Sequence, residues 1–231
     1  MIKLFQFPPA WELLSISPFC VKASAFLKWS KLEHQVVNLM SPAKAPLGKL
    51  PYIEDEGEII ADSSAIIDYL IGKYQIQIDV NLKPYQLAQA EAIKSLIEDN
   101  LYFIMVDSRW IDEPGARVMK AAFKTQLPPV ICNLVFKIVQ RMAKKRLHQQ
   151  GMGRYKKETV YAKGEKAIIA LSEFLGDSDF FMGESISVVD FSAYAFLVSI
   201  LEIPIDNPLQ QKVKALPKLV AYCKTMEAQW S

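Results

Sequence analysis

Three short stretches of the chain carry residue types able to do chemistry. The first is Ser17-Pro18-Phe19-Cys20, a hydroxyl and a thiol close together at an apparent helix start. Serine is a favoured N-cap because its oxygen accepts a bond from a free backbone N–H. Proline suits the first helical position because it has no N–H to leave unsatisfied. Capping alone accounts for both residues. Yet a helix N-terminus also favours negative charge, so the same tip can hold a sulfur anion or lower a thiol pKa. The second stretch is Lys49-Leu50-Pro51, where Pro51 opens a strand-like run and cannot donate to a ladder. A cis Leu50–Pro51 bond, reversing the chain there, explains that placement; a trans proline on an edge is the commoner alternative. The third is Asp62-Ser63-Ser64, at the start of another helix. It reads as a cap or as an anion receptor built from free N–H groups and the helix dipole.

The elements that must position these residues follow from periodicity. IKLFQF at 2–7 is short, aromatic and β-like, and 18–31 places Phe19, Ala23, Phe26 and Leu27 at helical spacing. HQVVNL at 34–39 is a second strand. PYIED and EII flank Glu56-Gly57, a hairpin signal. The helix opened by Asp62 shows Ile66, Ile67, Leu70 and Tyr74 on its apolar face. Strand, helix, strand, hairpin and covering helix make a thioredoxin arrangement. From about residue 85 the strand signals stop. Helical runs cover 85–106, 128–150, 157–176, 187–201 and 217–230, several opening on proline or closing on glycine. The expectation is an α+β thioredoxin-like N-terminal domain at 1–76, a linker at 77–84 and an all-α helical bundle at 85–231.

Composition narrows the function. The 231 residues suffice for two modest cores, and 27 basic against 25 acidic residues give no reason to expect nucleic acid. Cys20, Cys132 and Cys223 are far apart and only His34 and His148 are present, so neither a disulfide scaffold nor a metal site is expected. No signal peptide or membrane-spanning run is visible, and a soluble cytoplasmic protein is expected. Lys137, Arg141, Lys144, Lys145, Arg146, Arg154, Lys156 and Lys157 form a dense basic run. A solvated helix face is its default explanation, with an anionic partner or membrane surface as the alternative.

Taken in this order and spacing, SISPFC, GKLPYIED and IIADSSAII resemble the glutathione-binding half of the glutathione S-transferase superfamily. FFMGESISVVDFSAYAFL resembles its helix-initiating segment, with a Ser187/Asp190 capping box. PPAWELLSISPFCVK, DSRW at 107–110 and QQGMGR at 149–154 are similar to the branch holding metaxins and failed-axon-connections proteins, which has bacterial members.

That resemblance implies glutathione as co-substrate and conjugation of its thiolate to a small hydrophobic electrophile. Ser17 would donate to the sulfur, and Phe5 and Phe7 lack the hydroxyl of a tyrosine-type site. It implies that Lys49, Leu50, Pro51, Asp62 and Ser63 hold the tripeptide: the Leu50 backbone meets the cysteinyl unit, Asp62 the ammonium and Ser63 the γ-glutamyl carboxylate. Trp11, Tyr102, Arg109 and Trp110 are candidates for the electrophile pocket. Cys20 is either a buried filler or a low-pKa thiol in a glutathione-dependent thiol transferase. A homodimer is expected by superfamily habit, and a non-catalytic metaxin-like binding module is the alternative function.

Overall fold

The structure, a computed structural model, describes residues 1–126 and 128–230. Strand β1 (Ile2–Gln6) alternates, with Ile2, Leu4 and Gln6 facing inward. It runs parallel to β2 (His34–Asn38), with Ile2 opposite His34 and Gln6 opposite Asn38. Helix α1 (Pro18–Trp29) makes the crossover that a parallel pair requires. On its other side β1 pairs antiparallel with β3 (Tyr52–Asp55), which turns back into β4 (Glu58–Ala61). The sheet order is β2-β1-β3-β4. Glu56 and Gly57 make the expected hairpin, both with positive φ, 52° and 90°. Phe5 and Tyr52 stack across strands with ring centroids 4.3 Å apart. Helix α2 (Ser63–Tyr74) covers the sheet with Ile66, Ile67 and Leu70. The thioredoxin arrangement thus forms, with strand ends within a residue of those expected.

Helices α3 (Pro84–Ser95), α4 (Tyr102–Trp110), α5 (Glu113–Gln126), α6 (Pro129–Gln150), α7 (Lys157–Leu175), α8 (Val188–Leu201), α9 (Pro208–Lys214) and α10 (Pro217–Glu227) follow. A six-residue π-helical segment, Leu96–Leu101, joins α3 to α4. Helices α5 and α9 had no counterpart among the helical runs read from sequence. For α9 the local signal was present: Asn207 precedes Pro208 and its side chain accepts from the Gln210 N–H at 3.0 Å. Between α4 and α5 the backbones nearly touch. A Cβ on Gly115 would lie 1.8 Å from the Ser108 carbonyl oxygen, so only glycine fits.

Helix α8 is buried on nearly every side, as its unbroken apolar run requires. It packs against α1 through edge contacts of Phe19 with Phe196 and Phe26 with Phe191. Asp190 anchors its start. One carboxylate oxygen accepts from the Ser187 N–H (2.9 Å) and hydroxyl (2.5 Å), the other from the Phe181 N–H (2.9 Å) and Tyr222 hydroxyl (3.1 Å). Burial still outweighs these donors and raises the carboxyl pKa to about 6. Asp79, between α2 and α3, accepts from the Val188 N–H at 3.2 Å and so ties that connection to α8.

Candidate active site

Strand register brings the three chemical stretches to one edge. Phe5, near the end of β1, lies opposite Tyr52 at the start of β3, and Tyr52 lies opposite Ala61 at the end of β4. The chain leaving β1, the chain entering β3 and the chain leaving β4 therefore share one end of the sheet. Those segments lead to Ser17, carry Leu50–Pro51, and lead to Asp62-Ser63. The Leu50–Pro51 peptide is cis, as the sequence suggested.

Ser17 is the N-cap residue of α1, with extended backbone (φ −97°, ψ 126°), yet its side chain makes no capping bond. Ser17 and Pro18 thus stand where the helix begins, but the hydroxyl does not cap it, and among the described residues no side-chain acceptor is recorded on the first turn of α1. The hydroxyl lies on the side of Cys20, where it favours the thiolate of that residue. Cys20 is fully buried, and burial raises its pKa to about 11; hydrogen bonds from Phe7, Ser17 and Ser15 only partly offset this. The low-pKa thiol that a Cys20 thiol transferase needs is absent, because desolvation of the thiolate wins over the helix tip.

At the second tip, Asp62 is the N-cap of α2, and one carboxylate oxygen accepts from the Ser64 and Ala65 N–H groups at 2.9 and 3.3 Å. Its φ of 82° is one that non-glycine residues rarely adopt and that recurs at ligand clamps. Ser63 is 2% exposed and its hydroxyl has no hydrogen-bond partner among the described residues, an uncommon condition for a buried polar atom. Both helix tips thus hold more hydrogen-bonding capacity than the fold consumes.

Sequence reasoning missed Lys22. It is wholly buried in α1, and its ammonium bonds Ser64 Oγ and Glu98 Oε1, both at 2.7 Å. The same Glu98 oxygen accepts from the Ser192 hydroxyl at 2.6 Å. One cation therefore links α1, the first turn of α2, the π-helical segment and α8. A lysine inside an apolar helix ordinarily extends its ammonium to water, so no local signal announced it.

The four electrophile-pocket candidates do not assemble as one group. Tyr102 is half-buried and packs edge-on against Phe19, two residues from Ser17. Arg109 is buried, and its guanidinium donates to the carbonyls of Ile16 (3.3 Å) and Ser199 (3.1 Å), adjoining the same loop. Burial lowers its pKa to about 10. Beside it lies a cavity of about 10 Å³, bordered by Ser108, Ser199 and Asn207. Trp11, also half-buried, sits in the loop between β1 and α1. Trp110 belongs elsewhere: its ring packs with Phe123 on α5 and Phe136 on α6. Lys49 is exposed in the loop before Leu50.

Comparison with known proteins adds to this geometry. Residues 18–115 match the family model for the glutathione S-transferase N-terminal domain, and residues 164–226 match that for the C-terminal domain. The isoprene-epoxide–glutathione S-transferase of Rhodococcus sp. (strain AD45) is 32% identical over 100% of this chain and 99% of that protein. The chain belongs to the glutathione S-transferase family. Failed axon connections of Drosophila melanogaster is 30% identical over 98% of this chain and 57% of its own length, and metaxins also match, which places the chain in the metaxin-like branch. A glutathione S-transferase of Ceriporiopsis subvermispora, solved in complex with glutathione, has the same fold, with a TM-score of 0.70, 16% identity and coverage of 100% and 98% of the two chains. Among the described residues no helix is long and apolar enough to cross a membrane.

Proposed function

We propose that this glutathione transferase joins the sulfur of glutathione to a small apolar electrophile, with Ser17 holding the sulfur as thiolate. The uncapped tip of α1, with the Ser17 hydroxyl beside it, carries the reading. A serine hydroxyl turns among staggered wells and both donates and accepts. It can therefore turn to donate to a sulfur at the tip. A hydrogen bond to a charged group contributes about 1.5–3 kcal/mol, and the helix terminus about 0.3–1 kcal/mol. At about 1.36 kcal/mol per pKa unit, the two lower a thiol pKa by roughly one to three units.

The tip of α2 receives the γ-glutamyl end. Ser63 offers its unpartnered hydroxyl to the carboxylate. Asp62 uses one oxygen for capping, and the other faces the ammonium. The Leu50 backbone beside Pro51 meets the cysteinyl unit, and exposed Lys49 reaches the glycine carboxylate. An epoxide is a fitting electrophile class, given the name of the Rhodococcus relative. Attack by the thiolate forms a carbon–sulfur bond, breaks a carbon–oxygen bond and leaves an alkoxide that takes a proton from water. Tyr102, Arg109 and Trp11 are the candidates to line the electrophile pocket, Tyr102 and Arg109 through their contacts with Phe19 and Ile16 on either side of Ser17. With the linker taken at 77–84, this reading has glutathione on the sheet half and the electrophile against the helical half.

Titration with reduced glutathione, followed by ultraviolet thiolate absorbance across pH, tests this reading. Binding with a thiol pKa lowered by about one to three units is expected, and Ser17→Ala should remove most of that shift. Binding with an unshifted pKa favours a non-catalytic binding module, and no binding at all rejects glutathione as the ligand.

A further inference from the structure

Helix α6 is 22 residues long, about 33 Å at 1.5 Å per residue. Its inner face buries Cys132, Phe136 and Leu147. On the opposite side Ile131, Leu134, Ile138 and Met142 recur at i, i+3, i+7 and i+11 and form one row along the helix. All four are exposed, Leu134 and Met142 by more than 60%. Single exposed apolar residues are ordinary; a row of four large ones along one helix marks an interaction surface.

The flanks of that row carry Lys137, Arg141, Lys144, Lys145 and Arg146, all exposed, and α6 contains no acidic residue. None of the five takes part in an ion pair among the described residues. Residues 113–150 hold eight basic residues and one acidic one, in a chain whose net charge is only +2. The charge is therefore concentrated on one hairpin.

We propose that the outer face of α6 docks on an anionic lipid surface, lying in the plane of the headgroups. An apolar row rimmed by unpaired Lys and Arg has the composition of an interfacial helix: the aliphatic groups enter the acyl boundary while the cations meet phosphates. A second copy of this chain is a poor occupant, because pairing α6 with itself sets cations against cations with no carboxylate between them. An acidic protein partner explains the charge but leaves the aliphatic row without a matching groove. The proposal does not depend on the glutathione reading.

Co-sedimentation of the full chain with vesicles of phosphatidylcholine alone, and of phosphatidylcholine mixed with phosphatidylglycerol, tests it. Binding to the anionic vesicles only is expected. Lys144→Gln and Lys145→Gln should each weaken it about fivefold. The double variant Leu134→Ser/Met142→Ser should weaken it about tenfold or more. These side chains are exposed, so circular dichroism and turnover in solution should stay unchanged. Absence of binding, equal binding to both vesicle types, or full retention by the double variant would overturn the proposal. So would binding to soluble polyglutamate that only the lysine variants weaken, which points to an acidic protein. A dimer in solution that Leu134→Ser/Met142→Ser dissolves would likewise assign the face to self-association.

Discussion

Lys22→Met is the most informative perturbation, because one buried ammonium holds four elements together. Its pair with Glu98 is 1% and 14% exposed at the side chains, with a separation of 2.7 Å. At an effective dielectric of about 20, that distance corresponds to about 6 kcal/mol of attraction. Desolvating two ions costs several kcal/mol each. The pair therefore contributes little relative to an apolar replacement of both partners, and much relative to loss of one. Lys22→Met should cost about 3–5 kcal/mol, since among the described residues Glu98 then keeps the Ser192 hydroxyl alone. Lys22→Met/Glu98→Met should recover part of that loss, with a coupling of about 1–3 kcal/mol. Urea unfolding midpoints at constant slope give these values. Activity supplies a second readout: with Ser64 released from Lys22, the start of α2 loosens, and KM for glutathione should rise more than kcat falls. A cost below about 0.5 kcal/mol, the usual range for surface changes, or strict additivity in the double variant, refutes the reasoning.

Cys20→Ala should retain conjugation, and the wild-type thiol should resist alkylating reagents at neutral pH, because burial raises its pKa to about 11; rapid labelling of folded protein contradicts this. Asp190 predicts a pH signature. Its folded pKa, about 6, exceeds the reference 3.8, so the folded state keeps a proton that the unfolded chain releases. The associated stability is present below about pH 4 and disappears as pH rises through about 6. The stability advantage of wild type over Asp190→Asn should therefore shrink by up to about 3 kcal/mol across that window, as read by unfolding curves; a growing advantage reverses the sign and rejects it. Gly115→Ala should lower the melting temperature severely or prevent folding, because its Cβ would meet the Ser108 carbonyl oxygen at 1.8 Å; an unchanged melting temperature means α4 and α5 are not so close.

The sheet half was legible because its signals are local. A short aromatic, β-like run marked β1, Glu56-Gly57 marked the hairpin, and Ser17 and Asp62 stood where their helices begin. The cap at Ser187 and Asp190 was equally plain. What escaped depends on residues far apart in the chain. Lys22 is buried only because Glu98, 76 positions away, receives it. The π-helical segment carrying Glu98 has no compositional mark. Trp110 reads in sequence as a neighbour of Arg109, yet successive helical residues point in different directions, and its ring turns to α5 and α6. For Cys20 the sequence left a buried filler and a low-pKa thiol both open, and the packing of Leu50 and Ala45 around it favours the filler.

Helix α1 serves as a common wall. One side supports the sheet and α2, the other lies against the aromatic face of α8, and Lys22 crosses between. A wall shared in this way leaves no seam along which the halves can part separately. A ligand held at the tips of α1 and α2 must then raise the melting temperature of the helical half as well, since a ligand bound to the native state stabilises whatever unfolds with it.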